Sequence, residues 1–290
     1  MFKRSYSNSK SYDDSDSDDL NNDSENTYEC NGLILDQVEN ESVIKKLDIE
    51  QFNRNEDRTI NKIFGIYHVR AGVIGSSGSG KTTFTLKYLL NLCRQGYGSD
   101  KKPIYGMIIY CAPTETLNSG LIRTIIDSNV LGKFLYPIDI RKDSIPTISE
   151  LQDIQRTVVR QKRGTRIALI LDDFINVLTS KADKKQIDAY LTQTSRASCD
   201  VFLLMQTYNN ITPSIATNIN VLILFLKYIS RDTFNAVLRR SYTGEIDKEF
   251  MDIIFNELKH TPGCQHEPFI FINDQPPEKS IRFNDYYIHR

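Results

Sequence analysis

Apolar residues begin to recur regularly along this chain at about Tyr67, and the pattern then alternates between two periods. Tyr67–Ile74 reads as a strand, and Lys81–Arg94 as a helix closed by Gly96. Ile104–Cys111 (IYGMIIYC) is an almost unbroken apolar run of strand length. Thr147–Arg163 places Ile148, Leu151, Ile154 and Val158 on one helical face. Thr147 and Glu150 have capping-box spacing, and Gly164 is the expected stop. Arg166–Leu171 (RIALIL), Val201–Met205 and Asn220–Leu226 are further strands, with a helix expected over Lys184–Thr194. Helical patterns follow at Arg231–Arg240 and Ile246–His260, then an antiparallel hairpin from Pro268–Asn273 and Ser280–Phe283. Strands that alternate with helices and are apolar on both faces predict a parallel sheet covered on both sides.

The first part of the chain lacks such a pattern. Residues 1–30 are rich in Ser, Asp and Asn and are expected to be a disordered acidic tail. Residues 31–66 form a lead-in, with a short strand at Leu33–Leu35 and a helical turn at Glu41–Lys46, and 67–290 the main domain. Charge changes with the pattern. Met1 to Ile44 holds three basic and eleven acidic residues, whereas Lys45 to Arg290 holds 33 basic and 26 acidic, a net of +7. An acidic tail on a basic body solubilises the chain or screens a polyanion-binding surface. The five cysteines (Cys30, Cys93, Cys111, Cys199, Cys264) show no CxxC spacing, which fits a reducing compartment and excludes a disulfide framework or zinc ribbon. The longest apolar run, Val221–Leu226, falls far short of the ~18 residues of a membrane span. The expectation is a soluble, intracellular protein.

The sharpest chemistry lies between the first strand and the first helix. Gly75-Ser76-Ser77-Gly78-Ser79-Gly80-Lys81-Thr82 matches GxxxxGK followed by Ser or Thr at every fixed position, the Walker A pattern. Glycines let the backbone curl until its N–H groups converge on phosphate oxygens, and the helix adds its positive end. Lys81 would reach the β- and γ-phosphates of ATP, and the Thr82 hydroxyl would ligate Mg²⁺. A Walker B site needs an acid at the end of a neighbouring buried strand. Asp172, after RIALIL, is that Mg²⁺ partner. Asp173 would activate water as general base, one methylene shorter than the Glu found in many ATPases. Gln206 closes the next apolar strand (VFLLMQT), where it would orient water or sense the γ-phosphate. Arg196, in TSRAS, is a candidate arginine finger for a neighbouring subunit, with Arg231, Arg239 and Arg240 as weaker rivals.

The stretch from Arg196 to Arg240 reads R-A-S-C-D-V-F-L-L-M-Q-T, then P-S-I-A-T-N-I-N-V-L-I-L-F, then S-R-D-T-F. It resembles the FtsK/HerA superfamily, in which a strand ending in Gln leads to a helix, an Asn-bearing turn and another strand. Compact length and the C-terminal hairpin look most like the packaging ATPases of poxviruses, other large DNA viruses and virophages. The resemblance spans about Tyr67 to Phe283; Thr114–Ser144 matches nothing in it. It implies an α/β P-loop NTPase of the additional-strand type that hydrolyses ATP with Mg²⁺. It further implies a ring, pentamer or hexamer, that translocates double-stranded DNA, with capsid or portal proteins as partners, in a virus factory or virion.

Other branches of P-loop proteins remain open on sequence. An ABC-type ATPase fits GSSGSGKTT but needs an LSGGQ-like signature, which does not occur between Thr83 and Arg166. A nucleotide kinase would lack the acidic pair beside a polar sensor strand. A non-catalytic scaffold is hard to square with intact Lys81, Thr82 and Asp172.

Overall fold

The computed structural model describes residues 27–30, 33–37, 66, 68–94, 96–97, 102–129, 131–174, 181–208, 211–244, 248–256, 268–273, 275–283 and 286–289. The first strands are β1 (Thr27–Cys30), β2 (Leu33–Gln37) and β3 (Arg70–Ile74), followed by helix α1 (Lys81–Arg94). A small hairpin, β4 (Gly96–Tyr97) and β5 (Lys102–Pro103), precedes β6 (Tyr105–Ala112). Helices α2 (Thr114–Leu117) and α3 (Gly120–Ile126) lead to β7 (Leu135–Asp139). Next come α4 (Ile148–Arg160), β8 (Arg166–Asp172), α5 (Lys181–Gln193) and β9 (Cys199–Met205). Helix α6 (Pro213–Asn218), β10 (Val221–Leu224), α7 (Arg231–Ser241) and α8 (Lys248–Asn256) follow. The chain closes with β11 (Phe269–Ile272), α9 (Pro277–Ser280), β12 (Ile281–Phe283) and β13 (Tyr286–His289).

Eleven strands form one sheet in the order β1-β2-β13-β12-β11-β10-β3-β9-β8-β6-β7. From β10 to β7 every pairing is parallel. From β10 back to β1 every pairing is antiparallel. One strand, β9, stands between the phosphate-loop strand β3 and the acidic strand β8. That insertion defines the additional-strand type of P-loop NTPase.

Strand side chains alternate between two cores, which explains the unbroken apolar runs. On β9, Val201, Leu203 and Met205 pack on one face with α4, α5, α7 and α8, through residues such as Leu151, Ile187, Leu191, Val237 and Ile254. Phe202 and Leu204 face the other way, against Leu86, Leu89 and Cys93 of α1 and Ile122 of α3.

Most sequence expectations land within a few residues. The strand expected from Tyr67 starts at Arg70, and the hairpin pairs Phe269 with Phe283 in antiparallel register. Thr147 caps α4 with the full reciprocal box to Glu150. The stop differs from the expectation. The helix ends at Arg160, with Lys162 in the left-handed region at φ 54°. Gly164 instead lies against Gly106, where an added Cβ would come within 2.4 Å of the Gly106 nitrogen. Of the expected acidic tail, residues 1–26 lie outside the described residues, but Thr27–Cys30 is a strand of the main sheet. The expected turn at Glu41–Lys46 also lies outside them, as do residues 257–260 of the helix expected to reach His260. Segment Thr114–Ser144 supplies α2, α3 and the parallel edge strand β7.

The N-terminal ends of the central strands β8 and β9 are tied by charge. Asp200, fully buried at the start of β9, accepts from Arg166 Nε at 3.1 Å and Nη2 at 2.5 Å, from Tyr105 Oη at 2.5 Å and from Val69 N at 2.9 Å. His68 Nδ1 lies 3.2 Å from the same carboxylate. Burial alone would push the Asp200 carboxyl up; the Arg166 guanidinium and the hydrogen bonds hold it well below the ordinary carboxylate range. A depressed folded pKa stabilises the fold fully above the unfolded value of about 3.9, and that stability is lost as pH falls below it. Asp200→Asn leaves Arg166 buried without its counter-charge, so we expect it to cost about 3–5 kcal/mol. A urea titration at neutral pH that found less than 1 kcal/mol would show the network to be dispensable.

Candidate nucleotide-binding site

The site forms where the parallel strands end. β3 stops at Ile74, and Gly75 N donates to Met205 O at 3.2 Å, which pins the loop to the end of β9. A Cβ on Gly75 would sit 2.6 Å from Ser79 Oγ and 2.9 Å from Phe225 Cβ. Gly78 and Gly80 take φ of 74° and 100°, which L side chains rarely adopt. Ser79 N closes the turn on Ser76 O at 3.2 Å, and Phe84 N to Gly80 O at 2.8 Å starts α1. No acidic residue of α1 itself stands in its first turn.

Lys81 is buried and folds across the loop, its Nζ donating to Gly75 O at 2.7 Å and Ser76 O at 2.9 Å. Burial lowers its pKa, against the opposing charges of Asp173 and Asp172. Thr82 Oγ1 donates to Asp172 Oδ2 at 2.7 Å, so the loop's hydroxyl and the acid of β8 touch. Tyr110 Oη, from β6, donates to the same oxygen at 2.7 Å. Burial raises the Asp172 pKa, while these two hydrogen bonds oppose it. Tyr110 in turn is raised by burial and by the Asp172 charge.

Asp173 has φ 52°, outside the range a strand continuation would give, and its N donates to Leu204 O at 3.3 Å. That turn swings its carboxylate toward β9, where Gln206 Nε2 donates to Asp173 Oδ1 at 3.0 Å. Gln206 is exposed and Asp173 half-buried, whereas Asp172 is buried. The neighbouring strand ends carry a second polar contact, Thr114 Oγ1 to Asp139 Oδ2 at 2.6 Å.

The structure therefore brings Gly75–Thr82, Asp172, Asp173 and Gln206 to one end of the sheet. It does not bring Arg196 there. Arg196 is exposed on a 3-10 turn, Thr194–Ala197, ahead of β9, seven residues of strand from the site. At ~3.3 Å per residue that is about 23 Å, too far to serve its own phosphate loop. Arg231 pairs with Asp252 and also lies near the Phe255 ring. Sequence reasoning missed Tyr110; a polar-tipped residue near the end of an otherwise apolar strand was the available signal.

Hard oxygen donors at Thr82 and Asp172, with phosphate-seeking groups beside them, fit Mg²⁺ held jointly with a nucleotide's phosphates. Among the described residues no cluster of three or more His, Cys, Asp or Glu could hold a metal alone. No helix described is long and apolar enough to cross a membrane.

No family model matches the chain, and no curated protein matches it in sequence. Among solved structures it is similar to the genome packaging NTPase B204 of Sulfolobus turreted icosahedral virus 2 in complex with ATP-gammaS. Identity there is 14% and the TM-score 0.45, over 81% of this chain and 98% of that one. It is similar to EssC (ATPases 2 and 3) from Geobacillus thermodenitrificans at 13% identity and TM-score 0.44, covering 76% of this chain and 39% of that one. The type VII secretion ATPase EccC of Thermomonospora curvata gives 13% and 0.43, over 75% and 25%. The fold assignment rests on the chain's own strand order and loop. These make it an α/β P-loop NTPase fold of the additional-strand type.

Proposed function

We propose that this chain is an ATP-hydrolysing ring motor of the FtsK/HerA superfamily that translocates double-stranded DNA, with packaging of a viral genome as its task. The observation that carries the hydrolytic part is the pairing of Gln206 with Asp173 beside the Thr82–Asp172 contact. It sets one carboxylate against the loop's hydroxyl and leaves the other, half-buried, under a polar sensor. The motor part rests on the block that resembles the superfamily. In the structure that block runs β9, Gln206, α6, Asn220, β10. Asn220 clamps β10 to the start of β3: its Oδ1 accepts from Arg70 N at 2.8 Å and its Nδ2 donates to His68 O at 2.6 Å.

In this reading the loop amides and Lys81 bind the nucleotide's phosphates, and Thr82 and Asp172 would hold Mg²⁺. The ion supplies charge neutralisation of the phosphates when bound. Tyr110 and Thr82 fix one oxygen of Asp172, so the other keeps a set direction. Asp173 takes the proton of the attacking water, and Gln206 holds the Asp173 carboxylate in place. The role proposed for the ring is to bring Arg196 of one subunit to the next subunit's site, with capsid or portal proteins outside the ring.

ATP turnover by the purified chain, with and without linear duplex DNA, tests this reading. Stimulation of several-fold is expected. Turnover that is indifferent to saturating duplex would leave an ATPase and remove the motor; transfer of phosphate to a nucleoside acceptor would make it a kinase.

A further inference from the structure

The end of the sheet opposite the phosphate loop carries a basic tip for which the catalytic site has no use. Helix α4 ends in a Schellman closure: Lys162 N donates to Val159 O at 2.9 Å and Arg163 N to Val158 O at 3.1 Å. The residue at the left-handed position of such a closure is usually Gly, which adopts it without strain. Here it is Lys162, at φ 54° and exposed. Arg160, two residues back at the end of α4, is exposed as well.

The tip is fixed on both sides. Arg163 Nη2 donates to Lys133 O, and Thr165 N and Arg166 N donate to Ile104 O at 3.2 and 2.9 Å. Gln155 Nε2 holds Thr165 O at 3.2 Å, and Gly164 is seated on Gly106. Lys133, exposed ahead of β7, stands two strand positions from the tip, roughly 10 Å. Arg94 ends α1 at the same edge. Asp153, exposed two turns before Arg160 on α4, pairs with Arg156, and the buried Asp200 is already neutralised by Arg166; Asp127 is exposed as well. Mobile surface lysines would be spread over solvent. Lys162 sits on a pinned turn directly after Arg160, and the distance from this turn across to Lys133 is close to the ~12 Å width of a major groove.

We infer that this tip, Arg160 and Lys162 with Lys133 beside them, docks the phosphate backbone of duplex DNA. The inference rests on the motor reading above and names the surface that reading lacks. A lysine in the left-handed position carries a conformational cost that glycine would not. Removing it should therefore separate stability from binding.

Anisotropy of a labelled linear duplex, titrated with the full chain at 50–200 mM salt, reads the number of phosphates contacted from the slope of log K against log salt. Each contact contributes about 0.9 to that slope and about five-fold in affinity at 0.15 M. Lys162→Gly is expected to melt higher than the parent yet lose about one contact's slope. Arg160→Ala with Lys162→Gly should lose about twice that, near thirty-fold in affinity, with basal ATP turnover unchanged. Lys87→Ala, exposed midway along α1, should change neither. Duplex binding that keeps its slope in both tip variants overturns this inference and leaves the motor standing. Absence of duplex binding by the parent chain, including a chain that binds only anionic vesicles, overturns both.

Discussion

Lys81→Ala should give a folded chain that binds ATP far more weakly and has no detectable turnover. Alanine suits the first turn of a helix, so α1 should persist. What disappears is the one ammonium that spans the loop, bonded to the carbonyls of Gly75 and Ser76. Burial makes that charge costly, and Asp172 and Asp173 help to keep it. A nucleotide's phosphates would take over its hydrogen bonds. Removing a buried, hydrogen-bonded charge from such a pair costs about 2–5 kcal/mol, or roughly 30- to 5000-fold in affinity. Calorimetric titration with ATP together with a phosphate-release assay measures both effects. Turnover within ten-fold of the parent would take the loop out of the mechanism.

The features legible in the sequence were those that a local pattern enforces. The phosphate loop needs glycines at Gly75, Gly78 and Gly80 because the backbone there leaves no room or takes a positive φ. Apolar strands such as RIALIL and CDVFLLM declare burial on both faces, and the Thr147–Glu150 box declares a helix start. Features made by distant pairing were not legible. β2 meets β13 across about 250 residues, with Asp36 opposite Tyr287, and no local period announces it. Edge strand β7 carries Pro137 and an exposed Tyr136, so it lacks the apolar run that marks its neighbours. Gly164 invited a helix stop by residue type, but the close approach of Gly106 was what required it. The Arg166–Asp200 pair left a trace that sequence reading passed over: opposite charges at the starts of two apolar strands.

The site shows the same division. Lys81, Thr82 and Asp172 followed from motif chemistry. The Tyr110 hydroxyl on Asp172 and the Gln206 amide on Asp173 depend on strand order, since β6 and β9 flank β8 on opposite sides. Sequence placed Gln206 at a strand end without a partner, and its contact with Asp173 gives it one.

Arg196→Ala should fold, bind ATP and assemble, yet hydrolyse about 10³- to 10⁵-fold more slowly, the range for a trans-acting finger. Its side chain is exposed, whereas Thr194 and Ala197 of the same turn are buried, so truncation should spare the packing. Its distance from its own phosphate loop excludes a finger acting in cis, so a finger role requires a neighbouring subunit's site. Asp173→Asn supplies the complementary lesion. Asparagine tolerates the left-handed backbone at φ 52° and still offers Gln206 an oxygen, so this variant should bind nucleotide and lose only the base. Each inactive chain keeps what the other lacks. In mixed rings some interfaces would join an intact Asp173 of one subunit to an intact Arg196 of the next, and part of the turnover should return. An arginine acting in cis could not be rescued, because no single subunit would hold both groups. Recovery that rises and falls with the mixing ratio would place Arg196 at the subunit boundary. No recovery in mixtures shown to co-assemble would remove it from the mechanism and turn attention to Arg239, exposed on α7.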